Sequence, residues 1–428
     1  MQILTEPAIE WTGFKRLIFR FCFLYFTIYI FFTPNNDLSF INSLYEWLNE
    51  QLHHFIPWFA KTFFGYKHDI TIFTNGSGDT TYDYMLWFFG IALTVVGTIT
   101  WTLLDRKRGS YNALYYWMRV LVRFYLFYTM INYGVFKVIK LQFPFPYLER
   151  LVQPYGESSP MGLVWAYMGY STSYNYFTGY AELLAGVLLI FRRSTTIGAL
   201  VCLGVMTNVF MINMSYDVPV KLLSFNTILM CLFLLAKDAK RMLVFFILNK
   251  STLPADLNLP YTNKKLRYCM IALKWAFVIF IISTTFREAI EGQKLYGNKA
   301  PKPPLYGIYN TETFIRNKDT IPPLDTDTTR WRRLIIQREQ FASVKLNNDS
   351  IRIYNFQVDT VTRTAVVFPN WDTLNKARFK YTNDTAYLTL SGKLKNDSVY
   401  IKLKKFDISK FKLVNRGFHW VNEYPFNR

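Results

Sequence analysis

The chain has 428 residues, of which 51% are hydrophobic and 19% aromatic, with 18% charged and a formal charge of +20. So apolar a composition excludes an ordinary soluble protein, and so many charges exclude a chain lying wholly in lipid, so membrane and aqueous parts must share it.

Seven apolar stretches are long enough to cross or nearly cross a bilayer: 17–33, 85–104, 113–141, 176–191, 196–214, 219–236 and 269–286. The first is too long for a signal peptide and lacks a small-residue cleavage pattern, so it is expected to remain as a helix. Residues 1–112 then form two membrane helices joined by an exterior loop, 34–84. Within that loop 40–64 reads as an amphipathic helix. His53 and His54 with His68 have no companion carboxylate or cysteine cluster, and no metal site is expected. The glycine-rich run Asn75, Gly76, Ser77, Gly78, Asp79 lacks the lysine of a phosphate loop and reads as a turn, with Asp79 or Thr80 as a helix N-cap.

Residues 113–236 carry four apolar stretches that contain polar groups. Glu182 sits inside one of them, closed by Arg192 and Arg193, and a carboxylate at such depth needs a partner. Lys137 on the preceding helix offers one. Counted at 1.5 Å per residue from the outer helix ends, Lys137, Glu182, Asn208 and Asn226 fall at roughly the same level, about 10 Å down. Tyr133 lies one turn from Lys137, and Arg119 and Arg123 extend the same helical face toward the inner side. Asp217 and Lys221 flank Pro219 at an outer turn. Two readings of this constellation stand side by side. It is either a buried ion pair with interhelical amides that fix register, or a pocket in which Lys137 donates to a carbonyl and Glu182 moves a proton.

The motifs Gly134, Val135, Phe136, Lys137 and Ala181, Glu182, Leu183, Leu184, Ala185, Gly186, followed by the basic turn, resemble the DoxX family of bacterial membrane proteins. That family places a Gly-x-x-Lys helix before an Ala-Glu-x-x-Gly-Gly helix in a four-helix unit. The likeness covers 119–236. Ala185 stands where the first of the two glycines is usual, and two preceding helices, a seventh helix and a β domain are additions seen in larger members from two-membrane bacteria. The resemblance implies a link to quinone-coupled sulfur or thiol redox chemistry, beside other subunits.

Residues 237–290 form a basic connection and the seventh helix. With the N-terminus inside, the inner connections hold fourteen Lys and Arg and the outer loops four. This bias predicts an inner-membrane protein with a cytoplasmic N-terminus and everything after Phe286 in the periplasm. Residues 291–428 open with a Pro- and Gly-rich linker and continue as alternating strands, such as Val399, Ile401 and Leu403 on one face, separated by Asn and Asp turns. An antiparallel sandwich or barrel is expected. The terminal run 415–428 reads as a last strand, or a lid over a cleft. From Glu288 onward there are 24 Lys and Arg against 14 Asp and Glu.

The fold class expected is therefore a membrane α-helical bundle of about seven helices plus an all-β domain. The function expected is the binding of a quinone or other lipid-soluble ligand in an outer-leaflet pocket, as an accessory to envelope redox chemistry. Its partners are the bilayer and redox or envelope subunits, with no nucleic acid. The alternative is a non-catalytic anchor that presents a basic β domain to an envelope polymer, lipid or protein. Nothing in the chain specifies catalytic residues.

Overall fold

A computed structural model describes residues 10–32, 42–72, 78–257, 259–260, 263–369, 371–372, 374–394 and 396–427. The proposed turn at 75–77 and the start of the helix expected from residue 40 lie outside these residues. The chain divides into two compact units, Met1–Ile139 with Ser173–Ile290, and Lys140–Thr172 with Glu291–Arg428.

The first unit is helical. Its elements are α1 (Gly13–Phe32), α2 (Asn42–Phe64), α3 (Thr81–Leu104) and α4 (Asn112–Val138), and, after the excursion 140–172, α7 (Thr172–Ile190), α8 (Thr195–Ser215), α9 (Lys221–Ala236), α10 (Ala239–Met242) and most of α11 (Lys264–Leu295). Among the described residues three helices, α3, α8 and α11, are long and apolar enough to cross a membrane. Helix α9 and the segment Ala239–Ile247, in which α10 continues as a wider helical turn over Leu243–Ile247, are bent by 77° and make a fourth if counted as one span. The other expected spans fall short for visible reasons: α1 contains Lys15, Arg16 and Arg20, α4 contains Arg119, Arg123 and Lys137, and the first half of α7 is rich in Tyr, Thr and Asn.

Thr80 caps α3 in a capping box with Asp83. Asp79, the other cap candidate, reaches instead to α9, where its carboxylate accepts from the Lys221 and Leu222 amides at 2.5 and 3.0 Å. It thereby supplies the first turn of α9 with the acceptor that its own N-cap, Val220, lacks. Arg20, buried on α1, is satisfied by the Tyr111 hydroxyl, Thr102 and the Asp105 carbonyl.

The second unit is a closed antiparallel β-barrel. Its strands are β1 (Gly307–Arg316), β2 (Asp319–Thr320), β3 (Trp331–Arg338), β4 (Gln340–Leu346), β5 (Ile351–Asp359), β6 (Thr364–Pro369), β7 (Ala377–Asn383), β8 (Tyr387–Leu394) and β9 (Asp397–Phe406). Each of β3 to β8 pairs with the next, and β1 pairs with both β3 and β9, so the sheet has no free main edge. Val344, Leu346, Leu388, Leu390, Val399, Ile401 and Leu403 all point into the core, as their alternation dictates.

Residues 140–172, placed by sequence inside the four-helix stretch, group with the strands. They carry two short helices, α5 (Leu148–Val152) and α6 (Pro160–Tyr170), the latter capped by Ser159. Leu148 is buried with Ile308 and Ile335, its amide donates to Gln337 at 2.7 Å, and the Ser343 hydroxyl donates to Glu149. The expected terminal strand is absent: residues 416–427 contain no strand, and Phe418, Trp420 and Tyr424 are exposed. The barrel closes through the β1 to β9 pairing and leaves no edge for a further strand to join.

Candidate functional site

The anticipated polar level resolves into three separate places in the helical unit. In the first, Lys137 and Glu182 form a direct ion pair, with side chains only 7% and 2% exposed. Glycines bring them together. A Cβ on Gly134 would lie 2.8 Å from Leu183 and 3.0 Å from the Gly179 carbonyl, and one on Gly179 would lie 3.0 Å from the Gly134 carbonyl, so the α4 and α7 backbones touch there. The Lys137 ammonium also sits 5.6 Å from the centre of the half-buried Tyr133 ring. Glu182 Oε2 has no hydrogen-bond partner among the described residues. The pair is closed in, and neither of the two cavities described below touches it.

The depth count needs correction. Helix α4 ends at Val138, before a left-handed Lys140, and not near Pro144, while α7 begins at Thr172 and not at Tyr176. Asn208 is exposed and does not join the pair. The inward stripe of α8 runs through Gly198, Cys202, Met206 and Asn213, and two residues beyond Met206 is about 200° around the helix. Asn213 takes the interior place instead, donating to the Val220 carbonyl and the Ser224 hydroxyl, both at 3.1 Å. Asp217 is exposed and pairs with Lys221, at 3.1 Å.

Asn226 belongs to a second place. It is fully buried and accepts from the Tyr25 hydroxyl at 2.5 Å, while Tyr25 accepts from the Trp87 indole at 2.9 Å. Counted along α1, α3 and α9, these three groups lie roughly 8 to 10 Å from their helix ends, a shared level that the count of charged and amide groups alone did not include. Tyr25 and Trp87 line an otherwise apolar cavity of about 170 Å³ whose walls come from α1, α2 and α3, including Tyr29, Leu52, Leu86 and Phe89.

Arg119 and Arg123 lie in the third place, a larger cavity of about 460 Å³. Arg192, Arg193, Lys237 and Arg241 complete its basic lining, against two carboxylates, Asp238 and Asp256, a surplus of four positive charges. Arg119 donates to the Leu234 carbonyl at 2.6 Å, Arg192 to the Leu257 carbonyl at 2.6 Å, and Lys237 pairs with Asp256 at 3.3 Å. Asp238 accepts from Thr196 and Arg241, at 2.7 and 2.5 Å. Burial pushes its carboxyl up, but the Thr196 and Arg241 hydrogen bonds and the charges of Arg241 and Arg119 outweigh this and hold it below the usual carboxylate range. What it contributes to stability is thus present at neutral pH and is lost as the pH falls through that lowered value.

Over 126 residues, 29% of its length, the chain is 32% identical to the uncharacterized protein YwoB of Bacillus subtilis (strain 168), and the match spans 79% of that relative. The chain belongs to the YwoB family. No protein-family profile matches it, and no solved structure does. The larger part of this YwoB-family protein lies outside the match. Sequence reasoning passed over Tyr25 and Trp87 because aromatic residues are plentiful in every apolar stretch. It read Arg192, Arg193, Lys237 and Arg241 only as markers of orientation.

Proposed function

We propose that the protein is a DoxX-like, multi-pass protein of the bacterial inner membrane, with a cytoplasmic N-terminus and a periplasmic barrel. Its helical unit holds a lipid-soluble ligand of the quinone class as an accessory to envelope redox chemistry. The observation that carries this reading is the apolar cavity walled by α1, α2 and α3, with Trp87 and Tyr25 on its wall and Asn226 behind them completing their hydrogen-bond chain. About 170 Å³ is enough for a ring headgroup, since an apolar cavity of about 150 Å³ accommodates benzene. A ligand carbonyl can replace the Tyr25 oxygen as acceptor for the Trp87 indole, while Tyr25 goes on donating to Asn226. The site thus moves from Lys137 and Glu182, which are closed to a ligand of this size, to a neighbouring set of helices. The Lys and Arg bias of the connections supports the orientation.

Full-length protein titrated with a short-chain quinone and read by native mass spectrometry should bind it saturably. Trp87→Phe should weaken binding about five- to tenfold, the worth of one hydrogen bond, and Tyr25→Phe, whose hydroxyl keeps donating to Asn226 and not to the ligand, should weaken it less. Wild-type protein that neither carries nor takes up quinone would end this reading.

A second reading, an anchor that presents a basic barrel to an envelope polymer, lipid or protein, is favoured by the residues after the barrel. Phe418, Trp420 and Tyr424 are 83%, 88% and 72% exposed, and the Arg416 guanidinium lies 4.0 Å from the centre of the Phe426 ring. Exposed aromatics interleaved with basic groups suit a lipid-water interface. Deleting residues 416–428 should leave barrel unfolding unchanged and reduce retention on anionic vesicles. Equal retention by both forms counts against this role.

A further inference from the structure

The basic cavity of the helical unit has features that a quinone site does not need. Arg123 is 8% exposed, faces the cavity, and its Nε has no hydrogen-bond partner among the described residues. Arginine stays protonated, so this is a buried cation with an open donor. Charges in such places are ordinarily paired, because an uncompensated one is costly to keep from water. The carboxylates that share the cavity are committed elsewhere, Asp238 to Arg241 and Thr196, and Asp256 to Lys237.

A second feature points to the same ligand chemistry. Helix α8 is 21 residues long and starts in this cavity with Thr195 and Thr196, and its N-cap, Ser194, makes no capping hydrogen bond to its first turn. The Ser194 hydroxyl is spent on the Leu188 carbonyl at 2.6 Å. The first turn of α8, with the positive end of the helix dipole, therefore lies against the space that Arg123 lines, where the Thr196 hydroxyl already donates to Asp238. Phosphate oxygens answer both demands, since one group accepts from a guanidinium and from helix amides at once.

The rim of the cavity carries exposed apolar side chains beside the basic Arg193 and Lys237. Phe245 and Phe246 are 58% and 62% exposed, and Ile197 is 54% exposed. Charged groups at the floor and bare hydrocarbon at the mouth are the arrangement expected for an anionic headgroup whose acyl chains remain outside. At about 460 Å³ the space also falls in the range of roughly 300 to 1,000 Å³ typical of small-molecule sites.

We propose that this cavity binds a phosphate-bearing anion, with Arg123 and the first turn of α8 as its floor. The source is either the headgroup of an anionic phospholipid or a soluble phosphate. The site is separate from the cavity beside Tyr25, and its test does not depend on quinone binding.

Full-length protein in a neutral detergent is exposed in separate arms to phosphatidylglycerol, to phosphatidylcholine and to inorganic phosphate. Retention by native mass spectrometry and the thermal unfolding midpoint are read in each arm. Phosphatidylglycerol should be retained about tenfold more tightly than phosphatidylcholine and should raise the midpoint. Arg123→Met should lose that preference about tenfold, while its midpoint without lipid stays level or rises, because a buried charge with an open donor has gone and Met can keep the apolar contact with the Phe124 ring, 4.9 Å from the guanidinium. The rim double variant Arg193→Gln with Lys237→Gln, both at exposed positions, should weaken retention less, and it gives the answer if Arg123→Met does not fold. A midpoint that responds saturably to inorganic phosphate and not to phosphatidylglycerol assigns the site to a soluble phosphate. Saturable binding in neither arm overturns the proposal, as does unchanged phosphatidylglycerol preference in Arg123→Met or, where that variant is lost, in the rim variant.

Discussion

Glu182→Leu alone should destabilise the helical unit by about 3 to 5 kcal/mol, as should Lys137→Met, whereas the two together should leave stability unchanged or raise it by about 1 to 4 kcal/mol. The reason is asymmetry. With both present, each charge neutralises the other inside a contact that excludes solvent, and with one removed the survivor is buried alone. Replacing both by apolar side chains of similar size fills the same space and removes the desolvation cost. The measurement is equilibrium unfolding of the three variants in mixed micelles. A double variant as unstable as the singles would show that the pair answers to a third group, and Glu182 Oε2, which lacks a hydrogen-bond partner among the described residues, is where that group would sit. The same variants bear on the ligand: if the cavity beside Tyr25 is the site, quinone retention should survive in the double variant.

The barrel should depend on residues far away in sequence. A fragment beginning at Glu291 lacks residues 140–172, and Ile308 and Ile335 lose the cover of Leu148. Burying a leucine completely contributes about 1.5 to 3 kcal/mol. The hydrogen bonds of Leu148 to Gln337 and of Ser343 to Glu149 add about 1 kcal/mol each. Losing both kinds of contact should lower the stability of the fragment 291–428 by several kcal/mol relative to the same fragment joined to 140–172. Denaturant unfolding of the two forms decides this, and a peptide of residues 140–172 added in trans should restore part of the difference. Identical midpoints would mean that the segment is only a passenger on the barrel.

The barrel was legible in the sequence where turn chemistry and alternation agree. Leu346 and Ile351 flank a hairpin around Asp349, which takes positive φ, and Asp384 accepts from the Ala386 and Tyr387 amides in the next hairpin but two. Closure was not legible, because it depends on β1 meeting β9 across almost the whole domain. In the helical unit, the Lys137 and Glu182 contact was readable because a buried charge calls for its opposite. Asn208 misled because depth along a helix says nothing about direction around it. Tyr25, bonded to Asn226, had no signal of its own among so many aromatics. The basic cavity was hidden for another reason: its residues come from 116 to 257, and Lys237 and Arg241, at the 77° break after α9, join Arg119 and Arg123 in one lining only in three dimensions.

The grouping of residues 140–172 with strands that lie beyond residue 306 sets a timetable for synthesis. The segment leaves the ribosome long before its partners, since the last strand ends at Phe406. At about 5 to 20 residues per second, the wait is on the order of 10 to 50 s. During that interval Leu148 has no core to enter. What the segment does have is contact with itself: the rings of Phe143 and Trp165 lie 5.1 Å apart, and Gly169 fits so closely under the Pro144 carbonyl that a Cβ there would come within 2.2 Å of the oxygen. A nascent chain halted between residues 172 and 307 would therefore carry a small preformed cap with nothing yet to close. Strands emerging later would find one face of their barrel already prepared.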